Sequence, residues 1–164
     1  MKKEADEMFV EKAVKVVERL IEKKIKITTM ESCTGGFLIS TITDVEGASN
    51  ITDGGFVTYS NNQKIAVGVP EEVIETYGVY SSQTAFQMAQ VCREKMKAHI
   101  GVGITGTLSN VDINNTDSVQ GEVYFCIAFK DMVIERKIKV PVESRHSQKE
   151  FIVDKIFDEM LKAI

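Results

Sequence analysis

The sequence predicts an α/β fold, a three-layer α/β/α sandwich with a mixed, mostly parallel sheet. Along most of the 164 residues, β-prone runs alternate with amphipathic runs, a pattern typical of helices packed on both faces of a sheet. Two adjacent β-prone runs near the C-terminus, joined by Lys130-Asp131, indicate one hairpin. The length suits one domain, residues 1–164, with a sizeable core.

Hydrophobic spacing predicts the first elements. Residues 5–22 carry apolar side chains at helical spacing with charges on the opposite face, which predicts a helix. A strand near residues 25–30 follows, and after a polar junction a second helix runs to about Thr43. Residues 44–50 have the composition of a loop, and residues 54–59 predict a second strand after a glycine pair.

The middle of the chain predicts three helices in succession. Asn61 begins a short helix, and Pro70 opens another that ends near Gly78. Ser81 or Ser82 caps a longer helix with one apolar face. All three lie in the sequence between the second and the third predicted strand.

The remaining strands differ in their predicted burial. Residues 100–106 predict a buried strand that ends in a glycine turn, before a polar loop. In residues 123–129 the side chains that point to either face of the strand are largely apolar, which predicts burial on both faces. Residues 134–140 alternate apolar with charged side chains, so this strand should lie at or near a sheet edge. A helix from His146 completes the chain.

Charge and cysteine usage exclude several classes of protein. The net charge of −4 argues against a broad electrostatic surface for nucleic acid. Three cysteines, an odd number without zinc or disulfide spacing, favour a reducing compartment. Without a signal peptide or an apolar run of membrane length, we expect a cytoplasmic protein that does not bind membranes. His99 and His146 are isolated, so no metal site is predicted.

The first candidate site is the junction Ser32-Cys33-Thr34-Gly35-Gly36, which follows a predicted strand and precedes a helix. The N–H groups at the start of a helix carry partial positive charge and can hold an anion. Three side chains here are possible nucleophiles or caps, and the glycines allow the backbone to approach a ligand. Alternatively, Ser32 or Thr34 only caps the helix and the glycines only turn the chain.

A second junction carries Tyr59 and Lys64. Lys64 lies about one turn into a predicted helix, from where its side chain could turn back toward Ser32. A desolvated lysine loses its proton more readily and can act as a base for a serine nucleophile. A tyrosine hydroxyl could relay the proton or donate to a substrate. The alternative is a solvated lysine and a tyrosine that only packs.

A third junction ends the strand at residues 103–106 and contributes Thr105 and Gly106. Three strand ends with small polar residues suggest one shared crevice, the usual ligand position in open α/β sheets. Arg145, at the start of the last helix, could offer its guanidinium to a phosphate or carboxylate. The alternative is an ordinary surface arginine.

The sequence stretches at these three junctions, with a fourth at residues 78–81, together resemble the CinA C-terminal domain family. Its characterised members are nicotinamide-nucleotide amidohydrolases. The matching stretches are Glu31–Gly36, Gly54–Asn61 with Lys64, Gly78–Ser81 and Gly103–Gly106. The resemblance runs in order over nearly the whole chain, which looks like the stand-alone form, whereas longer bacterial members carry an additional N-terminal domain.

The resemblance implies a substrate and residue roles. The family's serine, tyrosine and lysine fall on Ser32, Tyr59 and Lys64, and its arginine falls on Arg145. It implies hydrolysis of the carboxamide of nicotinamide mononucleotide, giving nicotinate mononucleotide and ammonia. The chemistry of the residues agrees, because N–H groups at the helix start near Cys33 and Thr34 would stabilise the oxyanion. No metal or organic cofactor is implied, and the family suggests a homo-oligomer, a dimer or larger.

One stretch departs from the family pattern. Where the family has a glycine-rich loop, residues 107–120 are rich in Asn and Asp. The carboxylates of Asp112 and Asp117 would disfavour a phosphate unless they point away from it. Two alternatives therefore stay open, an amidase acting on another small amide and a nucleotide-binding regulatory module with a vestigial site.

Overall fold

The computed structural model describes residues 1–164, which form five strands and six α-helices. The strands are β1 (Ile27–Glu31), β2 (Phe56–Val57), β3 (Ile100–Gly106), β4 (Glu122–Ala128) and β5 (Val133–Lys139). The helices are α1 (Lys2–Lys23), α2 (Phe37–Thr43), α3 (Asn61–Val67), α4 (Glu71–Tyr77), α5 (Ser82–Lys95) and α6 (Arg145–Ala163). None of these helices is both long and apolar enough to cross a membrane.

The strands form one mixed sheet in the order β2-β1-β3-β4-β5. β1 pairs in parallel with β2 and β3, whereas β3–β4 and β4–β5 are antiparallel. The mixed α/β prediction is confirmed, but parallel pairs are half of the pairings and not most of them. The physical reason is that residues 107–120 join β3 to β4 without a helix, and a parallel crossover usually requires one.

Helices cover both faces of the sheet, which confirms the three-layer arrangement. α1, α2 and α6 pack against one another on one face, and α5 packs on the other with α4 beside it. α5 lies so close to β3 that a Cβ at Gly101 would stand 2.1 Å from the Ala89 carbonyl oxygen. At Gly103 a Cβ would stand 2.2 Å from the Ala85 oxygen, so both positions require glycine.

The predicted strands and helices are present in the structure, with small differences in where they begin and end. β5 is an edge strand with an exposed alternate face, as predicted, and residues 125–128 of β4 are buried on both faces. The predicted strand at 54–59 is reduced to Phe56–Val57 because Ser60 already caps α3. The predicted loop at 44–50 contains one short 3₁₀ turn, Ala48–Asn50.

The parallel half of the sheet sets the position of the site. Because β1, β2 and β3 run in the same direction, their carboxyl ends meet at one edge of the sheet. The Ser32 N–H donates to the Ile104 carbonyl at 3.0 Å, and the Thr58 N–H donates to the Glu31 carbonyl at 2.9 Å. Backbone hydrogen bonds therefore hold the three predicted junctions side by side.

Candidate active site

A crevice of about 690 Å³ opens where β1, β2 and β3 end. Its walls come from the turns after these strands, from residues 107–115 and from the start of α6. Six of the predicted site residues line it: Ser32, Cys33, Tyr59, Lys64, Gly106 and Arg145. Four do not: Thr34, Gly35, Gly36 and Thr105.

Ser32 and Lys64 meet at the inner end of the crevice. The Ser60 hydroxyl accepts the Gln63 N–H at 3.1 Å and thereby caps α3, which places Lys64 in the first turn of the helix. Its side chain turns back, and Nζ donates to Ser32 Oγ at 3.0 Å and to the Thr58 carbonyl at 2.8 Å. The contact that the sequence suggested is therefore present in the structure.

The environment of Lys64 favours a neutral amine. The side chain is only 1% exposed, and burial lowers its pKa to about 8, against smaller opposing effects of Cys33 and Asp112. Since the ordinary lysine value is 10.5, a much larger fraction of this amine is unprotonated near neutral pH. An unprotonated Nζ can accept the hydroxyl proton of Ser32.

The structure distinguishes Ser32 from its neighbouring thiol. Cys33 also lines the crevice, but burial raises the pKa of its thiol to about 12. A thiol that stays protonated is a poor nucleophile. Ser32, which is in contact with the Lys64 amine, is therefore the better candidate among the three side chains of this junction.

Glu31 organises the same junction, a role that the sequence analysis did not assign. Its carboxylate is fully buried and accepts the N–H groups of Leu38 and Ile39 at 2.8 and 3.0 Å. It also accepts the hydroxyls of Thr34 at 2.7 Å and Thr29 at 3.2 Å. Glu31 thus occupies the N-terminus of α2. Its only sequence signal is an acidic residue at a strand end shortly before a helix.

Because Glu31 holds the helix start, an oxyanion needs other donors. The N–H groups of Cys33 and Thr34 lie in the turn before α2 and donate to no other backbone group. These are the N–H groups that the sequence analysis expected at the helix start. In a buried turn, such free donors can stabilise negative charge that develops on a carbonyl oxygen.

The four predicted residues that do not line the crevice support the turns around it. The buried Thr34 hydroxyl donates to Glu31, and the Thr105 hydroxyl donates to the Val79 carbonyl at 2.9 Å. Gly35 and Gly36 have left-handed φ values of 59° and 96°, which glycine adopts without strain. The glycines thus serve the turn, one of the alternatives left open above.

Tyr59 and Arg145 lie together at the outer rim. Tyr59 is 65% exposed, and its hydroxyl accepts from Arg145 Nη2 at 3.3 Å. Arg145 Nη1 donates to Ser109 Oγ, also at 3.3 Å. Tyr59 makes no hydrogen bond to Ser32 or Lys64, so the structure joins it to the guanidinium and not to the inner pair.

A polar network fixes the loop that the sequence marked as unusual. Tyr80 Oη donates to Asp112 Oδ2 at 2.5 Å, and Asn115 Nδ2 donates to the same oxygen at 2.6 Å. Asn61 Nδ2 in turn donates to Asn115 Oδ1 at 2.9 Å. Hydrogen bonds from Asn115 and Tyr80 lower the pKa of Asp112, while burial and Asp112 raise the pKa of Tyr80. Sequence spacing carries no signal of the Tyr80–Asp112 contact.

A family model for the CinA C-terminal domain matches residues 10–164. The chain belongs to the CinA C-terminal domain family.

Named relatives agree with this assignment. A competence-damage inducible protein of Caldicellulosiruptor saccharolyticus is 42% identical over 119 residues, 72% of this chain and 29% of that protein. A CinA-like protein of Flavobacterium psychrophilum is 34% identical over 146 residues, 88% of this chain and 34% of that protein. The chain thus spans about a third or less of the length of these CinA relatives.

The CinA fold is also recognisable in solved structures. The crystal structure of the competence/damage inducible protein CihA from Agrobacterium tumefaciens matches with a TM-score of 0.86 at 26% identity. The match covers 94% of each chain. Within this CinA-family fold, the crevice of the present chain is lined by three charged side chains, Lys64, Asp112 and Arg145.

Proposed function

We propose that the chain is an amidohydrolase that releases ammonia from the carboxamide of nicotinamide mononucleotide and forms nicotinate mononucleotide. The observation that carries this proposal is the 3.0 Å contact between Ser32 Oγ and the buried Lys64 amine, whose pKa is lowered to about 8. A nucleophile beside a base of this pKa is suited to acyl transfer near neutral pH. The family resemblance supplies the substrate class.

In the first half of the reaction, Ser32 Oγ attacks the amide carbon and its proton passes to Lys64 Nζ. The N–H group of Cys33, a residue that lines the crevice, stabilises the oxyanion of the tetrahedral intermediate. When the C–N bond breaks, the leaving nitrogen takes the proton from Nζ and departs as ammonia. An ester of Ser32 with the nicotinoyl group remains.

In the second half, water attacks this ester with Lys64 as the base. The C–O bond to Ser32 breaks, the serine recovers its proton from Nζ, and the acid product leaves as the carboxylate. Both half-reactions use Ser32 and Lys64, which are buried together at the inner end of the crevice. At the outer rim, the Arg145 guanidinium meets the phosphate of the nucleotide.

One observation favours a second candidate. Asp112 lines the crevice, and a carboxylate there lowers the affinity for an anionic substrate. An amide without a phosphate, such as nicotinamide riboside, would avoid this repulsion. The same Ser32–Lys64 chemistry would apply to it.

Ammonia release from nicotinamide mononucleotide, nicotinamide riboside and nicotinamide tests both candidates. We expect the mononucleotide to give the largest kcat/KM, and Ser32→Ala to lower its turnover at least about a thousandfold. Ser40→Ala, which changes an exposed serine of α2, is the matched control and should keep the parent rate. Preference for the riboside would favour the second candidate.

Two outcomes would contradict the proposal. Turnover by Ser32→Ala at the parent rate would reduce Ser32 to a structural residue. Binding of all three compounds in a thermal-shift assay, with no ammonia released by the parent, would favour a regulatory module with a vestigial site.

A further inference from the structure

Asp112 is the only acidic side chain that lines the crevice. Its carboxylate accepts from Tyr80 Oη, Asn115 Nδ2 and the Asn114 N–H, which are all neutral donors. Hydrogen bonds from neutral groups stabilise a carboxylate without cancelling its charge. Asp112 therefore presents a negative charge that no cation of the protein pairs at hydrogen-bonding distance.

This carboxylate is held in place from two sides. Asn115 connects it to Asn61, the first residue of the helix that carries Lys64, and Tyr80 holds it from the segment before α5. Such a carboxylate cannot simply turn away from a bound ligand, because rotation would leave the donors from Tyr80 and Asn115 unsatisfied. The charge is a fixed feature of the wall.

A positive charge, Arg145 of α6, lies against the same loop. Ser109 accepts from Arg145, which lies at the rim with Tyr59. The wall formed by residues 107–115 is thus bordered by a cation at Arg145 and carries an anion at Asp112. A ligand with separated positive and negative charges would be complementary to this wall.

We propose that Asp112 is a specificity-determining residue, which favours an amide whose aromatic ring is a pyridinium cation over the same amide with a neutral ring. The proposal rests on the function proposed above, because nicotinamide mononucleotide carries a positive ring and a negative phosphate. Asp112 attracts the ring, and Arg145 attracts the phosphate.

The arrangement also has a consequence for the inner pair. A cationic ring close to Lys64 repels the protonated amine and so favours the neutral form that can act as a base. Asp112 offsets the repulsion that the ring would otherwise meet on entering a crevice with two cationic side chains. The bound ring therefore counters the rise in the pKa of Lys64 that the charge of Asp112 causes.

Two nucleotides that differ in ring charge test the proposal directly. Nicotinamide mononucleotide and its 1,4-dihydropyridine form share the amide, ribose and phosphate, but only the first has a cationic ring. Their dissociation constants are measured by calorimetry in Ser32→Ala protein, so that turnover does not interfere. We expect the pyridinium form to bind about tenfold more tightly, which corresponds to about 1.4 kcal/mol.

Three variants in this background separate charge from shape. Asp112→Asn keeps the size and one oxygen acceptor, and should reduce the preference to within about twofold. Asp112→Glu keeps the charge and should retain most of the preference. Asp117→Asn is the matched control, because Asp117 belongs to the same loop but does not line the crevice, and it should leave the ratio unchanged.

The outcomes distinguish this proposal from the function on which it rests. If folded Asp112→Asn protein still prefers the pyridinium form, the role of Asp112 is overturned and the proposed function is not affected. Equal binding of the two nucleotides by protein with Asp112 intact overturns it whatever the variants do. If neither nucleotide binds and the parent releases no ammonia from the mononucleotide, the proposed function fails and the role of Asp112 fails with it.

Discussion

The two ends of the crevice are built in different ways. At the inner end Ser32, Lys64 and Glu31 are at most 6% exposed. Backbone hydrogen bonds to the neighbouring strand ends hold Ser32 and Glu31, and the buried amine of Lys64 bonds to Ser32 and to the Thr58 carbonyl. At the outer end Tyr59 is 65% exposed and Ile113, in the neighbouring loop, is 90% exposed. Side-chain hydrogen bonds do most of the positioning there.

This difference separates chemistry from selection. Buried groups with fixed partners keep reacting atoms at one distance, and burial shifts the pKa of Lys64. Exposed loops can change sequence without disturbing the core, since few backbone groups depend on them. We therefore expect substitutions at the inner end to affect turnover or stability, and substitutions at the outer end to affect which substrate binds.

The largest effect is expected for Lys64→Met, which keeps the stem and removes the amine. Loss of the base should lower kcat about 100-fold to 10,000-fold, because Ser32 then has no group to take its proton. The measurement is ammonia release under saturating substrate. Lys95→Met, which replaces an exposed lysine of α5, is the control and should keep the parent rate. Full turnover by folded Lys64→Met would remove Lys64 from the mechanism.

Glu31→Gln should mainly lower stability. Each carboxylate oxygen accepts one backbone N–H and one threonine hydroxyl, so either orientation of the amide turns its NH₂ group toward two donors. An unsatisfied buried pair of this kind costs about 1–3 kcal/mol in the free energy of unfolding, measurable by urea titration. Glu22→Gln, at an exposed position of α1, should change it by less than about 0.5 kcal/mol. A Glu31→Gln protein as stable as the parent would show that α2 needs no anion at its start.

How far the sequence predicts this site depends on whether each contact is set by local structure or by the path of a long segment. The approach of Lys64 to Ser32 was predictable because Ser60 caps α3 and puts Lys64 one turn from a strand end. The Tyr80–Asp112 contact was not, because it depends on the path of a long loop. The role of Glu31 was missed because an acidic residue at a strand end does not by itself indicate that it accepts N–H groups of the next helix.

The pH dependence of kcat/KM should follow the protonation of Lys64 at the inner end. Only unprotonated Lys64 is a base, and burial lowers its pKa to about 8. Below this value kcat/KM should therefore rise about tenfold per pH unit, and it should level off above it. The negative charge of Asp112 raises the pKa of Lys64, so Asp112→Asn should move the rising limb to lower pH. An identical limb in this variant would mean that Asp112 does not act on the amine.

The same shift has a consequence for folding. Between about pH 8 and the ordinary lysine value of 10.5, the unfolded chain binds more protons at Lys64 than the folded protein does. The parent should therefore gain stability relative to Lys64→Met as the pH rises through this window. Urea titrations of both proteins at pH 7.5, 9 and 10.5 would measure this gain, and a constant difference would contradict the burial-driven shift.

The smallest effect is expected for Tyr59→Phe, at the outer end. Its hydroxyl accepts from Arg145 at 3.3 Å and makes no hydrogen bond to Ser32 or Lys64. Losing this hydrogen bond should disturb the guanidinium that meets the phosphate, so KM for the mononucleotide should rise by about threefold to tenfold while kcat is retained. Nicotinamide riboside, which lacks the phosphate, should be little affected and serves as the internal control. The proton relay that the sequence analysis considered for Tyr59 makes the opposite prediction, a fall in kcat for both substrates at nearly constant KM. Because a relay would require the exposed hydroxyl to leave Arg145 and move to the inner end, the split between kcat and KM shows to which end Tyr59 belongs.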